Sequence, residues 1–176
     1  MMRGLQAAAL VAVCGLFALL VWKLTHQSHP PKLGGPAPNF TLQRLEGAGA
    51  IDLRSLRGKP VVLNFFASWC APCKAESKVL ETAWQKYKSQ GVVFVGVDYH
   101  DVTSDGLRFL AAHDITYPTV KDGSGAVGDK YGLTGVPETF FIDPRGRLVG
   151  YHIEGTVAAA KNKPRFFAGI EAALHS

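Results

Sequence analysis

Two cysteines separated by two residues form the strongest chemical motif in this chain of 176 residues. The segment Trp69-Cys70-Ala71-Pro72-Cys73 follows an apolar run and precedes a stretch with helical spacing. At a helix start, free backbone N–H groups and the positive end of the helix dipole stabilise a thiolate. Cys70 is therefore expected to be the exposed nucleophile and Cys73 the resolving thiol, while Pro72 is tolerated in the first helical turn. Such a pair exchanges electrons with a partner disulfide through a mixed-disulfide intermediate.

The segments around the motif predict an α/β domain. Residues 61–66 and 92–97 are short apolar runs typical of strands buried on both faces. Residues 72–90 between them have helical spacing and end at Gly91, so the three segments predict a right-handed βαβ unit. The other predicted elements are a hairpin at 40–42 and 50–53, a helix capped by Thr103 or Ser104 and ending near His113, an antiparallel strand pair at 137–142 and 147–153, and a final amphipathic helix that includes residues 166–174.

The amino terminus predicts a membrane anchor. No charged residue occurs from Gly4 to Trp22, and at about 1.5 Å per residue such a helix crosses most of a hydrocarbon core of about 30 Å. We interpret residues 1–24 as an uncleaved signal-anchor because residues 20–26 offer no A-x-A-like cleavage site; a cleaved signal peptide is the alternative. Residues 25–34, polar and rich in Pro and Gly, predict a linker, and residues 35–176 the globular domain.

Composition narrows the classes of function. The net charge is +5, but residues 33–176 carry 16 basic and 14 acidic side chains, and no basic run is interleaved with aromatic residues. Nucleic acid is therefore not an expected partner. Cys14 lies inside the apolar run, which leaves two cysteines in the globular part, too few for a structural zinc site of four cysteines. The expected redox group is the Cys70–Cys73 disulfide itself, with no metal and no other cofactor.

Three segments, at residues 35–42, 63–76 and 135–143, resemble the TlpA/ResA/CcmG group of thioredoxin-like proteins. The Gly-Val-Pro-Glu-Thr-Phe stretch at 135–140 is most similar to the CcmG (DsbE) branch, which serves cytochrome c biogenesis. The resemblance implies a thioredoxin-like fold, a central mixed sheet flanked by helices, behind a transmembrane helix. It also implies a single-pass protein of the bacterial inner membrane whose periplasmic domain reduces disulfides. The implied partners are apocytochrome c or a thiol protein of its biogenesis, and a membrane electron donor of the DsbD/CcdA type.

The same resemblance assigns supporting residues around the cysteines. It implies a cis bond between Val136 and Pro137 that faces the disulfide and lines the substrate groove. Trp69 is expected to be partly exposed and to contact partners, with simple packing as the alternative. Glu138 is expected near the active site, where its carboxylate would accept a proton from Cys73, or else as a solvated glutamate at a strand edge.

One position departs from ordinary thioredoxins. They carry a buried Asp where this chain has Asn64, so Cys73 lacks that base. Glu138 becomes the candidate proton acceptor, ahead of Glu76, which is expected to be a charge on the helix surface.

Three other functions remain open from the sequence. A general periplasmic reductase of the TlpA type would use the same dithiol on other clients. A copper-carrying protein would use Cys70, Cys73 and His152, because thiolates and imidazole suit copper. The opening of the domain is also similar to peroxiredoxins, but Leu63 and Ala67 occupy the proline and hydroxyl positions that their motif requires.

Overall fold

The computed structural model describes the backbone of residues 2–25 and 31–176, and within the first helix the side chains of Leu10 and residues 12–22. Half of the predicted linker, residues 26–30, lies outside the described residues. The helices are α1 (Met2–Thr25), α2 (Ala71–Tyr87), α3 (Thr103–Ala112), α4 (Ala126–Tyr131) and α5 (Lys163–Leu174). The strands are β1 (Thr41–Gln43), β2 (Ala50–Asp52), β3 (Val61–Phe66), β4 (Val93–Tyr99), β5 (Thr119–Asp122), β6 (Glu138–Ile142) and β7 (Leu148–Glu154). Among the described residues, no helix combines the length and apolar character needed to cross a membrane.

A mixed sheet of five strands in the order β5-β4-β3-β6-β7 forms the centre of the domain. β3 pairs in parallel with β4 and antiparallel with β6, so it occupies the middle of the sheet. All six residues of β3 are buried, as expected for a strand covered on both faces. The predicted βαβ unit, the predicted hairpin β1-β2 and the predicted antiparallel pair β6-β7 are confirmed.

Residues alternate between two hydrophobic cores along β3. Val62 and Phe66 pack on the face that α2, α3 and α5 cover. Leu63 and Phe65 pack on the opposite face, under the β1-β2 hairpin and α4. Because side chains of a strand point alternately to the two faces, Asn64 faces α2. The same alternation determines which acidic side chains lie on the face of the sheet that α2 covers.

One expectation about secondary structure is wrong, and two short elements were not expected. The N-cap of α3 is Val102 and not Thr103 or Ser104, and no side-chain hydrogen bond caps that helix. The sequence pattern did not indicate β5 and α4, which have 4 and 6 residues. Both elements are short, so neither repeats its period often enough to stand out from a loop in the sequence.

Candidate active site

Both cysteines are held at the start of α2. The loop that leaves β3 brings Cys70 to the N-cap position of this helix, with Pro72 in its first turn. Cys70 and Cys73 form a disulfide with an S–S distance of 2.04 Å. Sγ of Cys70 also accepts a hydrogen bond from the Cys73 amide at 3.1 Å. This amide and the helix dipole are the features that favour a thiolate on Cys70 once the disulfide is reduced.

The oxidised pair is more enclosed than the sequence suggested. Cys70 is only 4% exposed and Cys73 only 1%, so the expectation of an exposed Cys70 is wrong for this state. Trp69, which precedes the pair, is 61% exposed, and its indole N–H lies 3.4 Å from the His100 carbonyl oxygen. Trp69 is therefore an exposed aromatic side chain directly beside an enclosed disulfide.

The loop before β6 closes the other side of the disulfide. The Val136–Pro137 bond is cis, as expected. The carbonyl oxygen of Val136 lies 3.4 Å from Sγ of Cys70, and Pro137 is buried. The sequence thus led to the correct pairing of two loops that are 66 residues apart.

Glu138 is neither a solvated edge residue nor available to the resolving cysteine. It pairs with Phe65 in the register of β3 and β6, and paired residues share a face, so its side chain lies on the face opposite α2. One carboxylate oxygen accepts bonds from the Thr134 amide and hydroxyl and from the Gly135 amide, at 2.8, 2.9 and 3.2 Å. The other lies 2.6 Å from His152 Nε2.

These contacts fix the protonation state of Glu138. Burial raises the pKa of its carboxyl, but the hydrogen bonds from His152 and Thr134 outweigh burial and hold the pKa below the ordinary value. A carboxylate stabilised in this way is a poor proton acceptor. Its contacts instead anchor the loop that carries Val136 to the disulfide.

Glu76, and not Glu138, has the burial and position expected of a proton acceptor for Cys73. It is fully buried, so the expectation of a helix-surface charge is wrong. It follows Cys73 by three residues on α2, which places the two side chains on the same helix face about 5–6 Å apart at Cβ. Burial raises its pKa to about 7 despite hydrogen bonds from the Val157 amide at 2.7 Å and from Asn64 Nδ2 at 3.0 Å. A carboxyl of that pKa both accepts and releases a proton near neutral pH.

The thiol-exchange chemistry that this geometry suggests is supported by comparison with known proteins. The model of the AhpC/TSA family matches residues 33–150. The chain belongs to the AhpC/TSA family. ResA of Oceanobacillus iheyensis, a thiol-disulfide oxidoreductase, is 32% identical over 142 residues, which are 79% of this chain and 74% of that protein. DsbE of Pseudomonas fluorescens biotype C, a thiol:disulfide interchange protein, is 37% identical over 115 residues, 65% of this chain and 62% of that protein.

Comparison with solved structures also supports thiol-exchange chemistry for this member of the AhpC/TSA family. A crystal structure from Chlorobium tepidum, assigned to the thiol:disulfide interchange proteins of the DsbE type, superposes with a TM-score of 0.75 at 30% identity. The match covers 82% of this chain and 99% of that chain. The fold is thioredoxin-like, and the protein is a thiol-disulfide oxidoreductase of the ResA/DsbE type with Cys70 and Cys73 as its redox pair.

The geometry does not favour the two rival chemistries. Within the residues that the structure describes, no group of three or more His, Cys, Asp or Glu side chains is arranged to hold a metal. His152 binds Glu138 and stacks on Phe140 at 4.2 Å, so it does not complete a copper site with the cysteines. At the positions that peroxiredoxins need for peroxide activation, Leu63 and Ala67 are apolar and fully buried.

Proposed function

We propose that this oxidoreductase is a membrane-tethered reductant of exported proteins, and that it reduces disulfides in the cytochrome c maturation pathway. The observation that carries the redox part is the Cys70–Cys73 pair at the start of α2, where the Val136 carbonyl contacts Cys70 and the buried Glu76 follows Cys73 by three residues. The cytochrome assignment is supported by the similarity of residues 135–140 to the DsbE branch.

The reaction transfers two electrons to the client. The Cys70 thiolate attacks a sulfur of the client disulfide, which forms a mixed disulfide and releases one client thiolate. Cys73 then attacks the Cys70 sulfur, which releases the second client thiolate and closes the Cys70–Cys73 bond. Glu76 accepts the proton of the Cys73 thiol during this second attack, because its pKa near 7 suits that transfer. The client leaves as a dithiol, ready for haem attachment if it is an apocytochrome.

The cycle then requires a reductant. A membrane electron donor of the DsbD/CcdA type would return two electrons to Cys70–Cys73 by the same exchange in reverse. Such a donor lies in the membrane, so tethering keeps its substrate within reach.

The tether in this proposal is the amino-terminal helix. Its support is the uncharged run from Gly4 to Trp22 and the helical conformation of Met2–Thr25. In the proposal the chain is a single-pass protein of the bacterial inner membrane with residues 35–176 in the periplasm. An oxidising compartment outside the cytoplasm is also where client disulfides persist.

Trapping tests the client assignment. Cys73→Ala expressed in cells should accumulate mixed disulfides through Cys70, because the resolving attack is lost. The double variant that also carries Cys70→Ala is the matched control and should trap nothing. We expect mass spectrometry of the trapped species to recover apocytochromes c or thiol proteins of their biogenesis. Recovery of unrelated exported proteins alone would favour the general TlpA-type reductase over the cytochrome pathway.

A further inference from the structure

Another buried acid, besides Glu76 and Glu138, lies near the active site and has no role in the steps of thiol exchange proposed for Cys70 and Cys73. Asp98, on β4, is fully buried and is paired in register with Phe66, the last residue of β3. Within the described part of the chain, no amide, ammonium or hydroxyl donor reaches either of its carboxylate oxygens, and its one side-chain contact of hydrogen-bond type is with the carboxyl group of Asp101. A buried carboxyl without a donor is costly when ionised, so its surroundings favour the neutral acid.

The elements packed around Asp98 leave room for it but bring little compensating charge. From α3 it meets Gly106, where a Cβ atom would lie 2.5 Å from its Oδ2. Its neighbour on β5 is Lys121, whose ammonium group donates to the Thr103 hydroxyl. The other charged group that faces it is Asp101. Burial raises the pKa of Asp98 to about 7, the charge of Asp101 and the hydrogen bond between the two carboxyl groups raise it further, and the charge of Lys121 opposes them.

Asp101 connects this buried acid to the loop before Cys70. Its Oδ2 accepts the Ser68 amide at 2.5 Å, and its Oδ1 accepts the Val102 amide at 2.8 Å. Burial raises the pKa of Asp101, but hydrogen bonds from the Ser68 side chain, from the Ser68 and Val102 amides and from Asp98 outweigh burial and hold the pKa below the ordinary value. The ionised Asp101 therefore holds the backbone of the residue that precedes Trp69.

We propose that Asp98 is a positioning residue for thiol exchange: as a neutral acid it donates its O–H to Asp101, and this bond keeps Asp101 on the Ser68 amide. When Asp98 loses its proton, two carboxylates face each other without a donor between them. Their repulsion loosens the Asp101–Ser68 contact and with it the loop that presents Trp69 and Cys70. The proposal depends on the Cys70–Cys73 chemistry, not on the cytochrome client or the membrane tether.

Amide NMR of the oxidised full chain in detergent tests this coupling, because disulfide-bonded cysteines do not titrate. The Ser68 amide resonance should shift with a midpoint near pH 7, set by Asp98. Protection of this amide against hydrogen exchange, corrected for intrinsic exchange, should fall about ten- to a hundredfold between pH 6 and pH 8, the typical range for one hydrogen bond to a charged group. The Val157 amide donates to Glu76 and serves as an internal control, because its resonance reports the titration of Glu76 and not that of Asp98.

Asp98→Asn is the decisive variant, because its amide donates to Asp101 at every pH. In it the Ser68 amide should keep its low-pH shift and protection up to pH 8, while the Val157 amide should still titrate. Its thiol-exchange rate relative to wild type should be close to one at pH 6 and above one at pH 8. A Ser68 titration that persists in Asp98→Asn would overturn the proposal. If the variant does not fold, a wild-type Ser68 amide with no inflection between pH 5 and pH 9 would overturn it equally.

Discussion

Replacing Glu76 by Gln tests whether this buried carboxyl group binds a proton near neutral pH. The substitution removes the titratable group and keeps its size. The Gln oxygen can still accept the Val157 amide, and its NH₂ group can turn toward Asn64, whose Oδ1 has no donor among the described residues. The main physical change is therefore the loss of a proton-binding site.

The magnitude follows from the two proton affinities of Glu76. Its pKa is about 7 in the folded chain and 4.5 without the fold. Between these values the folded protein holds a proton that the unfolded chain has released, so the free energy of unfolding falls as the pH rises. Its contribution is complete below the unfolded pKa and is lost as pH rises through the folded pKa. At about 1.4 kcal/mol per tenfold difference in proton affinity, the loss is about 3 kcal/mol.

Urea unfolding of the oxidised full chain at pH 5 and pH 8 measures this effect. Relative to wild type, Glu76→Gln should gain about 2–3 kcal/mol of stability between the two pH values. Glu46→Gln, at an exposed position, is the matched control and should leave the pH dependence unchanged. Equal pH dependence in Glu76→Gln and wild type would refute the reasoning that Glu76 binds a proton near neutrality.

Three further substitutions probe neighbouring contacts. Glu138→Ala strands the Thr134 and Gly135 amides, so urea unfolding at pH 7 should show a loss of about 2–4 kcal/mol; a loss under about 0.5 kcal/mol, the usual size of a surface change, would contradict the anchoring role. Gly106→Ala places a Cβ 2.5 Å from Asp98 Oδ2, and the melting temperature should drop by the equivalent of about 1–3 kcal/mol. Trp69→Ala should change the free energy of unfolding by no more than about 0.5 kcal/mol, since the side chain is 61% exposed. It should slow mixed-disulfide formation with a protein client about tenfold and leave the reaction with a small thiol unchanged. Equal slowing with both reagents would mean that Trp69 does not contact the client.

Periodicity was sufficient for the parts of the fold that bury the most apolar surface. β3 and β4 are read as apolar runs because both faces are covered, and α2 is marked by its helical spacing and by Gly91. The short β5 contains the partly exposed Lys121 and the buried Asp122, so its composition does not distinguish it from a loop. Its place in the sheet is fixed by pairing with β4, which is a tertiary property.

The cysteine pair was predictable from spacing, but the roles of the acids were not. Glu138 is adjacent in sequence to the cis bond, and that proximity suggested a role with Cys73. The register of β3 against β6 decides otherwise, because a shift of one residue moves a side chain to the other face of the sheet. The signal that could have found Glu76, which was instead expected on the helix surface, is its spacing of three residues from Cys73 on the same helix. Asp98 gave a weaker signal, an acidic residue at the end of an apolar strand.

Redox cycling of the purified full chain tests the central claim most directly. In a glutathione redox buffer, Cys70 and Cys73 should interconvert between the dithiol and the disulfide, and in the reduced form iodoacetamide at neutral pH should label Cys70 well before Cys73. Peptide mapping separates both from the free Cys14. Preferential labelling of Cys73, or no closure of the Cys70–Cys73 bond at any glutathione ratio, would contradict the assignment of Cys70 as the nucleophile of a dithiol oxidoreductase.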